Sequence, residues 1–238
     1  MSAGKKLRKQ TGGGKKDKPI NEEEYGTYWK SDSSIDAACC VLQIFLKGMC
    51  AYYGWQAWLT FPSFFDKTTG NVVDVECEFA WLVYLPLVLC TIIDIIWHWD
   101  WAKGMSENVH HLTAFSCITI SYVKGTNAGR TVGTLTGVVE TVGPVYQLMK
   151  VLPSSFGYWL RYLALACNMF VRAPFFLWQI RTTYYYFLGG GRLGHGVFNY
   201  VIYMLSSVSP FIYLSLDFLW SSSMVRTIQK MDQKKKKN

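Results

Sequence analysis

Two adjacent histidines, His110 and His111, lie inside an apolar stretch, and a carboxylate, Glu140, lies inside the next one. An imidazole close to a carboxylate can serve as a general base or can hold the polar group of a ligand. Ionisable side chains within a membrane segment are costly, so a group of them marks a functional site by default. The alternative is that they hydrogen-bond neighbouring helices to one another. Both interpretations require the two stretches to form adjacent helices.

The segment between the two stretches predicts how they pair. Gly125–Gly129 is rich in turn-forming residues, so the flanking helices should be antiparallel neighbours. Facing positions then have residue numbers that sum to about 254, which brings Glu140 to within about one helical turn of the histidine pair in depth. Adjacent residues point about 100° apart, so only one histidine can face Glu140. The other is expected to face Asp94 or His98.

Other charged residues lie in or near apolar segments. Arg130 stands near the start of a predicted helix. It is a candidate member of the polar cluster that includes the histidine pair, Glu140, Asp94 and Asp217, but extension towards the membrane interface is favoured over a catalytic role. Asp217 is expected to line the same cavity from the last helix, whereas Lys47 and Asp94 show no partner in the sequence. The seven cysteines have no metal-ligand spacing and lack the pattern of a disulfide framework, so no metal site is predicted.

The composition places these residues in a membrane protein. Half of the 238 residues are apolar and 17% are charged, compared with about 25% charged in an average soluble domain. A bilayer core needs about 20 apolar residues per helix, which predicts an all-α transmembrane bundle of about six spans. The predicted spans are 35–61, 77–98, 109–123, 131–152, 156–180 and 197–224. The third is short, so its helix is expected to begin earlier, with Ser106 as the N-cap.

The basic residues are concentrated outside the apolar region, and the net charge is +8. Residues 1–34 form a polar lead with no structure expected at its start, residues 35–226 form the membrane domain, and residues 227–238 form a basic tail. An even number of spans places both basic ends in the cytosol, as the positive-inside rule requires. Anionic lipid head groups are the expected partners of these ends, and nucleic acid is not expected.

The last residues also match a targeting signal. Lys235 and Lys236 occupy the fourth and third positions from the end, which is the pattern of the dilysine signal that coat proteins recognise. The alternative is a basic tail that binds anionic lipid. The signal predicts a multi-pass protein of the endoplasmic reticulum that can cycle with the Golgi.

The residues from the histidine pair onward resemble the TLC-domain family of multi-span membrane proteins. The similarity covers roughly residues 35 to 226. The residues that support the similarity, in order, are His110, His111, Ser121, Tyr122, Asn127, Arg130, Glu140, Pro144, Lys150, Arg172, Pro174, Phe218 and Trp220. The resemblance implies a TLC-type bundle with a role in membrane lipids.

One position separates this chain from the ceramide synthases of that family. Those enzymes have a second acidic residue three positions after the first, and Gly143 stands there in this sequence. The resemblance therefore favours the smaller non-synthase members, with a role in lipid binding, sensing or transport. The first alternative is a sphingolipid N-acyltransferase that uses acyl-CoA as co-substrate and His110 or His111 in catalysis. The second alternative is a cargo or export receptor. No cofactor is expected, and the sequence leaves open whether the chain forms a homo-oligomer.

Overall fold

The computed structural model describes residues 34–60, 73–75, 77–97 and 105–235, and of residues 97, 105–108, 154–155 and 234–235 it describes the backbone alone. The predicted lead before residue 34, most of the loop after the first helix, His98 and Lys236 lie outside the described residues, as does the side chain of Lys235. The histidine pair, Glu140 and the cavity around them lie within the described part.

Most of the described residues are helical, and the prediction of an all-α fold is confirmed. In this part of the chain, eight α-helices are joined in places by a 3-10 segment (Thr136–Val142) and a π segment (Asn168–Arg172). The helices are α1 (Ser34–Leu59), α2 (Ala80–Trp97), α3 (Met105–Lys124), α4 (Asn127–Leu135), α5 (Gly143–Val151), α6 (Ser154–Cys167), α7 (Ala173–Leu188) and α8 (Phe198–Lys235).

Within the described part, these elements form six helical rods. The 3-10 segment connects α4 to α5 without a break, and the π segment connects α6 to α7 in the same way. Each rod overlaps one predicted span, but the rods that end at Leu188 and Lys235 extend well beyond the predicted ends at residues 180 and 224. The helix α3 begins at Met105, so Ser106 lies inside the helix and not at its N-cap. The helix α8 continues to Lys235 and passes through the predicted boundary at residue 227 without interruption.

Among the residues that the structure describes, three helical stretches are long and apolar enough to cross a membrane, namely Ser34–Leu59, Phe156–Leu188 and Phe198–Gln233. The apolar helix Ala80–Ile96 is shorter. Large apolar side chains also lie on the outside of the bundle: Ile96, Phe170 and Phe218 are 72%, 77% and 72% exposed. A surface of this kind suits lipid rather than water. The chain therefore has the properties of a membrane protein, and the number of six spans stays a prediction.

Two glycines allow α1 to approach the 3-10 segment closely. A Cβ atom added to Gly54 would lie 2.5 Å from the carbonyl carbon of Gly137, and one added to Gly137 would lie 2.5 Å from the carbonyl oxygen of Cys50 in α1. Small residues at such crossings let helix backbones come close, which is how membrane helices gain packing energy. This contact fixes the distance between α1 and the rod that contains Glu140.

The hairpin of α3 and α4 has the predicted antiparallel arrangement near its turn. The Tyr122 hydroxyl lies 2.9 Å from Oγ1 of Thr134, close to the predicted register. The turn is held from outside, because the N–H of Thr126 donates to the carbonyl oxygen of Leu193 at 3.0 Å and the N–H of Ala128 donates to Asp74 at 2.9 Å. Further from the turn, the two rods are separated by a cavity.

Candidate functional site

A cavity of about 180 Å³ lies inside the bundle and receives side chains from all six of the described rods. Of the six residues expected to form the polar cluster, four line the cavity, namely Asp94, His110, His111 and Glu140. The cavity is partly open, and its wall combines charged, aromatic and small residues. One site thus brings together Asp94 and Glu140, which are separated by 46 residues in the chain.

Asp94 is the centre of a polar network at one end of this cavity. Its Oδ1 accepts a 2.7 Å hydrogen bond from Gln43, and its Oδ2 lies 3.4 Å from the Lys47 ammonium. The Nδ1 atom of His111 lies 3.6 Å from the same Oδ2. Gln43 in turn accepts a hydrogen bond from the Gln147 amide. The network joins α1, α2, α3 and α5, and it holds His111 in a defined orientation.

This network shows partners for Lys47 and Asp94 that the sequence did not indicate, and it shows which histidine faces Asp94. Lys47 and Asp94 showed no partner in the sequence, but in the structure they form an ion pair. One of the two histidines was expected to face Asp94, and His111 does so. Gln43 and Gln147 were missed altogether. The available signal was that Gln43 and Lys47 are four residues apart in an apolar helix, which places both on one face.

His110 points into an aromatic environment rather than towards a carboxylate. Its ring lies 5.1 Å from the ring of Tyr213 and 5.4 Å from that of Trp220, both in edge-to-face geometry. The Nδ1 atom of His110 is buried and has no hydrogen-bond partner among the described residues. The two adjacent histidines therefore have different surroundings: His111 joins the polar network, and His110 packs against α8.

Glu140 does not pair with either histidine. No hydrogen bond or ion pair joins its carboxylate to another residue in the described part of the chain. The Glu140 carboxylate lies beside Gly143. A Cβ atom added to Gly143 would lie 2.8 Å from Oε2 of Glu140 and 2.7 Å from Cδ of Lys47. The space of a side chain at residue 143 is thus occupied by Lys47 and Glu140. This explains in steric terms why glycine suits this position.

A second buried ion pair supports the cavity from behind. The Nε atom of Arg172 lies 3.0 Å from Oδ2 of Asp217, and both side chains are almost fully buried. The guanidinium lines the cavity and also lies 5.8 Å from the ring of Phe176. Asp217 was expected to line the cavity itself. It does not, since it lies behind Arg172 and compensates its charge.

Arg130 is likewise not part of the cavity. Its Nε donates a 3.1 Å hydrogen bond to the carbonyl oxygen of Tyr122. This bond satisfies a backbone acceptor in the last turn of α3, where carbonyl groups lack partners within the helix. Arg130 therefore stabilises the hairpin near its turn. Arg130 was also a candidate member of the polar cluster, but the structure places it at the hairpin turn, outside the residues that line the cavity.

Prolines explain why two rods are irregular beside the cavity. Pro144 has no N–H for the carbonyl of Glu140, and this carbonyl accepts from Gly143 in a 3-10 bond instead. Pro174 follows the π segment, in which the N–H of Ala173 reaches the carbonyl of Asn168. Interruptions of this kind occur frequently at functional sites. Here they present Glu140 and Arg172, one from each irregular segment, to the same cavity.

No cluster of three or more His, Cys, Asp or Glu side chains suited to a metal ion occurs within the described ranges. All seven cysteines are free.

Comparison of the chain with protein-family models, with curated proteins and with solved structures finds no match in any of the three. The resemblance to TLC-domain proteins accordingly stays a prediction from the motif.

Proposed function

We propose that this chain is an integral membrane protein of the endoplasmic reticulum that takes part in membrane lipid homeostasis. In this proposal it binds part of a lipid in the cavity at His110, His111 and Glu140. The observation that supports it is a polar cavity inside a helical bundle whose outer surface is apolar. The placement in the endoplasmic reticulum rests on the dilysine pattern of Lys235 and Lys236 alone.

The electrostatics of the cavity favour a ligand with a hydrogen-bond-donating head group. Lys47 and Arg172 are each compensated by an aspartate. Glu140 lies near Lys47 but makes no hydrogen bond or ion pair within the described part of the chain, so its carboxylate can accept hydrogen bonds from a hydroxyl or an amine. Charged groups inside a bundle are expensive. A ligand that supplies such donors would lower the cost of keeping Glu140 there.

The size of the cavity limits what can enter. Pockets for drug-sized ligands measure about 300–1,000 Å³, and this one measures about 180 Å³. It is therefore suited to a small head group or to one chain, and not to an entire two-chain lipid. A role in binding or sensing one part of a lipid fits this volume.

The test is a comparison of the lipids that co-purify with three forms of the full chain. Wild-type protein is compared with the His110→Ala/His111→Ala double variant and with His195→Ala, which changes an exposed histidine outside the cavity. We expect one lipid class to be enriched in the wild type and in His195→Ala and to be lost in the double variant. Equal lipid content in all three folded proteins would refute binding at this cavity.

A second candidate function is N-acyl transfer, because the structure contains one arrangement that suits catalysis. Asp94 lies 3.6 Å from Nδ1 of His111, and a carboxylate that orients an imidazole is a common form of general base. Gly143 does not fit the ceramide-synthase pattern, since Lys47 and Glu140 occupy the space that a second acidic side chain would need. Incubation of the protein with acyl-CoA and a long-chain base separates the two candidates. Product formation that requires His111 would establish the enzyme.

A further inference from the structure

The cavity is elongated along the bundle, and inter-helix contacts define its two ends. At one end, His111 of α3 meets Asp94 of α2. At the other end, Tyr122 of α3 stacks on Tyr84 of α2, with ring centroids 4.4 Å apart. Cavity-lining residues of α3 extend from His110 to Ser121, which corresponds to about 16 Å of helix at ~1.5 Å per residue.

The character of the wall changes along this length. The charged residues Lys47, Asp94 and Lys150 line the end that contains the histidines. Beyond them, the wall consists of uncharged residues. Apolar side chains (Leu87, Ile118, Val132 and Val139) alternate there with Gly133 and with the neutral polar residues Ser121, Thr136, Gln179, Ser206 and Ser209. The slot thus carries charged groups at the histidine end and only neutral groups towards Gly133.

The end near Gly133 is closed by tightly packed residues. Val132 belongs to a buried cluster with Ala128, Leu193 and Ile202, whose exposed fractions are 0%, 1% and 1%. Gly133 faces the Tyr122 ring so closely that an added Cβ would lie 3.1 Å from one of its carbons. A chain that enters from the histidine end therefore meets a rigid floor.

We infer that this slot holds a single alkyl chain, with its head group among the charged residues and its terminal methyl group near Gly133. The floor formed by Val132, Gly133 and Ser206 then limits the length of the chain. The inference rests on the proposed lipid-binding function and adds its ligand class and its specificity-determining residues. The length is appropriate, because a bilayer core of about 30 Å contains two layers of chains, or about 15 Å for each chain.

The first experiment measures binding of saturated monoalkylglycerols, from decyl to octadecyl, to the full-length protein by native mass spectrometry. Affinity should rise about fourfold for each methylene group and then reach a plateau where the chain touches the floor. Ser206→Leu should move this plateau to shorter chains and lower octadecyl affinity about tenfold. The matched control is Ser215→Leu, which makes the same change on the exposed side of the same helix and should leave the series unchanged.

The second experiment needs no variant and locates the chain directly. An octadecyl probe with a photoreactive diazirine at its terminal carbon is crosslinked to wild-type protein, and the labelled residues are mapped by mass spectrometry. Labels on Val132, Ser206 or their neighbours support the inference. Labels near Lys150 would overturn it while leaving lipid binding intact, as would affinity that rises without a plateau. An absence of any probe binding would instead refute the proposed function itself.

Discussion

Replacement of Asp94 by asparagine tests whether the polar network is a coupled unit. The carboxylate faces Lys47 at 3.4 Å, and the two side chains are 7% and 14% exposed. Asparagine keeps an oxygen that can accept from Gln43 but removes the negative charge. Loss of one partner from a buried ion pair leaves the other charge uncompensated and costs about 3–5 kcal/mol. Since Glu140 remains near Lys47, we expect the lower end of this range, about 3 kcal/mol.

The double variant Asp94→Asn/Lys47→Met should recover most of that loss. Methionine retains the alkyl volume of lysine without its charge, and removal of both members of a buried pair is often close to neutral. For a chain of this size, ~1 kcal/mol corresponds to about 2–4 °C in melting temperature. The single variant should therefore melt about 6–12 °C below the wild type, and the double variant should melt within about 4 °C of it.

The measurement is thermal unfolding of the detergent-purified protein, followed by tryptophan fluorescence. Asp232→Asn is the control, because Asp232 accepts a hydrogen bond from Tyr158 at the far end of α8 and lies outside the network. It should change the melting temperature by less than the Asp94 variant. If the double variant melts as low as Asp94→Asn alone, Lys47 and Asp94 are not coupled and our account of the network is wrong.

Three further predictions concern packing and burial. Gly54→Ala should destabilise the fold severely, because the new Cβ would lie 2.5 Å from backbone atoms of the 3-10 segment. In the control Gly48→Ala, the new Cβ meets nothing within 4 Å, so this variant should be neutral or stabilising by about 0.5–1 kcal/mol. Thermal melts of the two variants test this prediction. Tyr122→Phe should cost about 1–2 kcal/mol by leaving Thr134 without its 2.9 Å contact, and an unchanged melt would show that the contact contributes nothing. Cys77, only 2% exposed, should resist maleimide until the protein unfolds, as peptide mapping of alkylated sites would show; rapid labelling of the folded protein would contradict its burial.

Much of the architecture was predictable because it depends on local patterns. Long apolar runs separated by polar or glycine-rich segments predicted the helical rods, and the turn at Gly125–Gly129 predicted an antiparallel hairpin. Hydrophobic length and turn chemistry act within a few residues of chain. The predicted ends of the helices were less accurate. The helix α3 begins at Met105 and α8 continues to Lys235, whereas the predicted spans began at residue 109 and ended at residue 224. The spans were defined by their apolar length, and a helix can continue into polar residues beyond it.

The partners of the charged residues were not predictable in the same way. Lys47 and Asp94 are 47 residues apart, and Arg172 and Asp217 are in different rods. No periodicity within one helix indicates which residue of another helix it will face. The rotation of each rod depends on contacts such as that between Gly54 and Gly137, and these are decided only when all the rods pack together.

The sequence by itself therefore determined that the chain is helical, that it has membrane-length apolar segments, and that the histidine pair and Glu140 belong to one region. Only the tertiary structure decided that His111 faces Asp94, that His110 packs against Tyr213 and Trp220, and that Arg130 lies outside the cavity. The physical reason is that backbone hydrogen bonding and hydrophobic burial act on local segments. The direction in which a side chain points across the bundle depends on how every neighbouring rod is rotated.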